Sequence, residues 1–139
     1  LWLGPAPKKP YNERKVHYNF RFFWDYSGGQ MTNWGAHHLD IAQWALGTDE
    51  TGPTEIEGRC RYGENVPYEV PDWTMVIYRY PQGVVMHCSQ DYRQGVTFET
   101  DRGSVFVTRG RAEATPADLL PAEVREMKAP GDSTGAHFA

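Results

Sequence analysis

The stretch Trp73-Thr74-Met75-Val76-Ile77-Tyr78-Arg79-Tyr80, followed by Pro81-Gln82-Gly83 and then Val84-Val85-Met86-His87-Cys88-Ser89-Gln90-Asp91, decides the fold. β-Branched and aromatic residues dominate both runs, as suits a pleated, packed surface. Proline and glycine between them mark a tight turn, so the pair reads as an antiparallel hairpin. Successive side chains of a strand point to opposite faces. Trp73, Met75 and Ile77 therefore make one face of the first strand apolar, and Val76, Tyr78 and Tyr80 make the other apolar too. Both faces need cover, which predicts a homo-oligomer formed through the sheet.

Working outward, Ile56 opens a strand that reaches Arg61 or Tyr62, and Gly63 to Pro71 is a loop. Downstream, Gly95–Thr100 and Ser104–Thr108 flank Asp101-Arg102-Gly103 as a second hairpin, with Ala112–Ala114 as a last short strand. The two hairpins are expected to share one sheet. Upstream, the flexible Ser27-Gly28-Gly29-Gln30 precedes a helix from about Trp34 to Leu46, with Thr32 or Asn33 as its cap and Gly47 as its stop. Ala36, Leu39, Gln43 and Leu46 share a stripe that Ile41, Trp44 and Ala45 widen, which predicts a largely buried helix. Val16, Tyr18, Phe20 and Phe22 alternate and suggest a short extended segment; the proline-rich Leu1–Pro10 is an arm whose Trp2 and Leu3 dock elsewhere. Beyond Thr115, Leu119, Leu120, Val124 and Met127 suit a short covering helix that ends before Pro130. The fold class expected is α+β: an open, mainly antiparallel sheet with at least one packed helix.

The chain has 139 residues, 40% hydrophobic and 23% charged, which suits one globular domain and excludes wholesale disorder. A net charge of -4 argues against sequence-blind binding to nucleic acid. No run approaches the roughly 20 apolar residues of a membrane span, and no secretory or lipidation signal is visible, so the expected location is cytoplasmic. Cys60 and Cys88 make no disulfide framework. The chain begins at Leu1 rather than methionine and ends at His137-Phe138-Ala139, and it reads as a piece of something larger.

Chemistry concentrates in Gln30-Met31-Thr32-Asn33-Trp34-Gly35-Ala36-His37-His38-Leu39-Asp40. On a helix, Asn33, His37 and Asp40 lie near one face. An imidazole exchanges protons near neutrality, and a carboxylate one turn on can orient it. Trp34 offers a flat apolar surface, and Gly35 removes a side chain where a ligand can approach. Adjacent residues on a helix point about 100° apart, so His37 and His38 do not share one local site, and no third ligand accompanies His37 and Asp40; no metal is expected. There is no nucleophile elbow, phosphate loop or dinucleotide fingerprint. The aromatic and basic segment Tyr11–Tyr26 reads either as a packed aromatic cluster or as one wall of a ligand cavity.

Three stretches carry a family resemblance: Trp2-Leu3-Gly4-Pro5-Ala6-Pro7, Phe23 through Gly28-Gly29-Gln30 to Asp40-Ile41-Ala42-Gln43-Trp44, and Gly95 through Val105-Phe106-Val107 to Gly110. The sequence resembles the glucose–fructose oxidoreductase and inositol dehydrogenase (Gfo/Idh/MocA) family over about Leu1 to Leu120. The resemblance implies that residues 1–139 are part of the second, substrate and oligomerisation domain of an oxidoreductase. The Rossmann domain that holds NAD or NADP would lie outside this stretch, so no cofactor is expected on these residues alone. The terminal His137-Phe138 resembles the start of the family's next helix. The resemblance also implies a sugar or polyol substrate, with His37 as general base and Asp40 as its orienting partner. Asn33 stands where the family commonly has an aspartate, which removes a charge from the pair. Trp34, Arg21 and Trp24 are the candidate substrate-binding residues. Two other readings are a non-catalytic sugar-binding or oligomerisation module and part of an NAD-dependent glycosidase.

Overall fold

The computed structural model describes residues 2–126. They divide into two compact units between Tyr92 and Arg93. The first unit begins with the arm, then short 3-10 turns over Glu13–Lys15 and His17–Phe22. One turn of π-helix, Met31–Gly35, runs into helix α1, Ala36–Leu46. Strands β1 (Glu55–Arg61), β2 (Trp73–Arg79) and β3 (Val85–Ser89) follow and form an antiparallel sheet in the order β1-β2-β3. The second unit holds β4 (Val96–Thr100), β5 (Gly103–Thr108) and β6 (Arg111–Thr115), again antiparallel and in sequence order. A 3-10 turn at Ala117–Leu119 and helix α2, Ala122–Glu126, complete it. The expected covering helix therefore takes the form of α2; the expectations for Met127 and for a helix start at His137-Phe138 concern residues outside the described range.

The α+β class and both hairpins stand as the sequence indicates, but four expectations are corrected. The hairpins do not share a sheet. Among the described residues, β3 pairs only with β2, and β4 only with β5. Arg93, just before β4, turns to its own sheet: its guanidinium donates to both Glu113 carboxylate oxygens at 2.7 and 2.9 Å and lies 3.7 Å from the Phe106 ring centroid. The segment around Tyr18 is not extended, because His17 takes a left-handed φ of 51° and starts a 3-10 turn. That period of three puts Arg21 over the Tyr18 ring, 3.9 Å from its centroid.

The helix, third, is not largely buried. Only Ala42 is fully enclosed, and Trp44 is 70% exposed, because α1 packs through a narrow stripe rather than its whole apolar surface. Its start, fourth, is not capped by Thr32 or Asn33. The Thr32 hydroxyl accepts from the Gly28 N–H at 3.1 Å, and Asn33 donates to the Gln30 side chain at 3.4 Å. Its end is as expected: Gly47 sits at φ 62°, the left-handed conformation that stops helices.

The core of the first unit is Phe23, Ala42, Val70 and Tyr80 with the buried Thr48. Fully burying a Phe or Val side chain stabilises by about 1.5–3 kcal/mol, so these few residues matter. Phe22 offers its carbonyl to the N–H groups of Glu69 and Val70, at 2.9 and 3.4 Å, and so brings the loop before β2 onto the aromatic segment. Lys15 reinforces this junction, with its ammonium 3.1 Å from Glu69 and 4.5 Å from the Phe23 ring centroid. At the arm, the Trp2 ring meets Tyr26 edge-on and Lys9 pairs with Asp25.

Two predictions follow from this packing. Gly29 has φ 75°, and a Cβ there would stand 2.8 Å from Cγ2 of the buried Val70. Gly29→Ala therefore costs about 1–3 kcal/mol of stability, read from denaturant midpoints; an unchanged midpoint would show that the loop relaxes freely. In the second unit, hydrogen bonds from Arg93, with the charge of Arg111, hold the Glu113 carboxyl below the usual carboxylate range. A carboxyl lowered by folding stabilises above its ordinary range, and that contribution is lost as pH falls through its folded value. Glu113→Gln should flatten the acid-side fall in stability of this unit, and equal acid profiles for the two proteins would count against the pairing.

Candidate functional site at the head of helix α1

The site is built where Gly28-Gly29 turns into the π-helical turn. Gly29 donates its N–H to the Arg21 carbonyl at 2.8 Å, which fixes the loop against the aromatic segment. Thr32 closes it from the other side through Ser27, Gly28 and the Gly29 carbonyl. The Gly35 N–H reaches back five residues to the Gln30 carbonyl at 3.0 Å, so one extra residue is accommodated before α1 begins. Such π turns are frequent at functional sites. Here the turn sets Asn33 and Trp34 against the first turn of α1.

Trp34 is the organising surface. The His38 ring stacks with it at a centroid distance of 6.0 Å and an interplanar angle of 22°. The His37 ring meets it edge-on at 6.1 Å and 71°. The two histidines thus share the one indole, contrary to the separation that their adjacency suggested, because Trp34 meets one ring edge-on and the other face-on. His37 is exposed, and Asn33 is half-buried beside Gln30. Asp40 is exposed on the next turn and makes no hydrogen bond to His37 among the described residues. The structure therefore brings Trp34 and His37 together, turns Asn33 to Gln30, and leaves Asp40 unbonded to the imidazole.

The other candidates lie on the aromatic segment. Arg21 donates its Nε–H to the Tyr18 carbonyl at 2.8 Å with its guanidinium over the Tyr18 ring, so its planar group is already stacked. Trp24 is 56% exposed, and its backbone N–H donates to Glu69 at 3.2 Å. Neither side chain contacts His37 among the described residues.

The far end of α1 supplies what the sequence reading missed. Gln43 Oε1 accepts from the Tyr80 hydroxyl at 2.6 Å and from the Thr48 hydroxyl at 2.7 Å, while its amide nitrogen donates to the Thr48 carbonyl at 3.3 Å. Burial pushes the Tyr80 phenol up, which keeps it a hydrogen-bond donor. One amide thus joins α1, the turn after it and the end of β2. The available signal was a polar residue on an otherwise apolar stripe.

No group of three or more His, Cys, Asp or Glu side chains among the described residues is placed to hold a metal ion. All described strand pairs are antiparallel, and no strand leads into α1 through its glycine loop. A dinucleotide needs a strand, a glycine turn and a helix N-terminus in a parallel crossover. The described residues do not fit that group. No helix among them is long and apolar enough to cross a membrane.

The family described as oxidoreductase family, C-terminal alpha/beta domain (Gfo/Idh/MocA), matches residues 1–114, and the chain belongs to it.

The Gln43 junction generates a prediction. Removing the amide in Gln43→Ala leaves the Tyr80 hydroxyl without its acceptor and strips the Thr48 hydroxyl of the nearer of its two, the Gln43 carbonyl remaining at 3.3 Å; a group left unpaired in the interior costs about 1–3 kcal/mol. Tyr80→Phe removes a single donor and costs about 0.5–1.5 kcal/mol. Chemical denaturation of both variants checks the order, and a Gln43→Ala protein no weaker than Tyr80→Phe would contradict the shared junction.

Proposed function

We propose that this chain is the substrate-side domain of an NAD- or NADP-dependent oxidoreductase acting on a sugar or polyol, with His37 as the base that removes the hydroxyl proton. The observation that carries the reading is the exposed His37 imidazole held edge-on to Trp34 at the head of α1 in a chain of this oxidoreductase family. A substrate ring or polyol chain lies against the indole, whose flat face suits C–H surfaces. His37 accepts the proton of a secondary alcohol, and Asn33 hydrogen-bonds a neighbouring hydroxyl or the imidazole. Asp40 contributes its charge across solvent to the protonated ring. Trp24 and Arg21 line the approach from the aromatic segment. The dinucleotide belongs to a separate domain of the parent protein, in keeping with the family resemblance. A non-catalytic sugar-binding or oligomer-forming role is the second reading, favoured by the lack of a dinucleotide cradle among the described residues. An NAD-dependent glycosidase would use the same His37 step and differ in its products.

His37→Ala in the parent oxidoreductase should lower turnover by roughly 100-fold to 10,000-fold, the scale of a lost general base. His38→Ala should be milder, since that ring stacks flat on Trp34 and points elsewhere around the helix. Turnover per folded molecule, measured beside a melting curve, separates catalysis from stability. Full activity in well-folded His37→Ala protein would overturn the assignment.

A further inference from the structure

Strand β1 reads Glu55-Ile56-Glu57-Gly58-Arg59-Cys60-Arg61. Its charges reverse sign about Gly58, with two carboxylates on one side and two guanidinium groups on the other. The four charged residues alternate along the strand and so share one face. β1 is an edge strand: among the described residues it pairs with β2 alone. All seven of its residues are exposed. The present partners of its charges are loose. Glu57 and Arg59 stand 3.8 Å apart, and Glu55–Arg79 and Arg61–Asp72 are each 3.6 Å, with every one of these side chains largely in solvent.

An open edge adds another strand unless its side chains prevent it, and charge is the usual means of prevention. Here the sign pattern favours one arrangement over its near alternatives. A parallel, in-register neighbour of the same sequence sets like charges together. An antiparallel neighbour shifted by two residues places Glu57 against Glu57, or Arg59 against Arg59. A shift of one residue sends the charged set to the opposite face. Only the antiparallel register centred on Gly58 places Glu55 opposite Arg61 and Glu57 opposite Arg59, each pair occurring twice.

We propose that β1 pairs in this register with β1 of a second copy of the chain, joining two three-stranded sheets into one six-stranded sheet. The pairing supplies the outward backbone groups of β1 with partners and exchanges loose contacts within one copy for directly opposed pairs between copies. On the other face, Ile56, 62% exposed in the single chain, gains Cys60 of the second copy as its cross-strand neighbour. The arrangement is isologous, as a two-fold dimer requires. It is independent of the reaction assigned to the helix head and differs from packing of the sheet faces.

Sedimentation of the 139-residue chain tests it. The unaltered protein should dimerise. Glu57→Arg and Arg59→Glu should each weaken the dimer by about tenfold or more, because each sets like charges opposite one another twice. An equimolar mixture of the two variants should regain the dimer as a heterodimer, and the double variant in one chain should pair as the unaltered protein does. Melting curves confirm folding, which exposed positions of β1 should leave intact. In a Cys88→Ser background, Ile56→Cys should give an oxidised dimer bridged to Cys60 of the second copy, and Cys60→Ser should abolish it. A monomer for the unaltered protein, a dimer indifferent to charge reversal, or a dimer without the bridge from position 56 to Cys60 would each overturn the proposal.

Discussion

The Gln43 side-chain amide is the joint on which the first unit depends. It is the polar member of the α1 stripe, and it satisfies the hydroxyl and carbonyl of Thr48 and the hydroxyl of Tyr80. Tyr80 and Thr48 are 5% and 2% exposed, so most of each side chain is enclosed around the amide. A hydrogen bond within an enclosed network contributes more through the cost of leaving it unmade than through its own strength. With few enclosed apolar residues, the first unit relies on such directional contacts to set where α1 lies on β2. The position of the helix head, and of His37 upon it, follows from that joint together with the Gly29 turn at the opposite end.

The two ends of α1 differ in character. Around Gln43 the side chains are enclosed and mutually satisfied. Around Trp34 they are open: His37 faces solvent, Trp34 is 36% exposed, and a π turn takes up an extra residue. A rigid joint at one end of a short helix and accessible groups at the other is how a scaffold presents chemistry without itself moving. The membership in the oxidoreductase family gives this arrangement its context, and the proton-accepting role proposed for His37 needs only what the helix head displays.

Much of this architecture is legible in the sequence where one physical rule acts alone. Strands β2 and β3 show because alternation and β-branched content mark them, and the end of α1 shows because Gly47 must take a left-handed φ. The start of α1 is hidden, since Thr32 looks like a cap yet turns its hydroxyl back to Gly28. The split into two sheets is hidden too. Alternation says that a segment is a strand but not which strand it joins. At the site, helical spacing sets Asn33, His37 and Asp40 near one face; the structure shows Trp34 beside His37 and Asn33 bonded to Gln30. The same spacing suggests a bonded His37 and Asp40, but two exposed side chains one turn apart are free to prefer water. The role of Gln43 depends on Tyr80, a partner too distant in sequence for local periodicity to reveal.

The central claim is that His37 accepts the substrate proton, and the pH dependence of kcat/KM tests it most directly. The profile is measured for the parent oxidoreductase and for its His37→Gln variant, which keeps a polar side chain of similar reach but cannot act as a base. The account predicts an acid-side fall in the unaltered enzyme, as one group takes up a proton and loses its function, and no such fall in the variant. The same acid-side fall in both enzymes, at comparable rates, would contradict it.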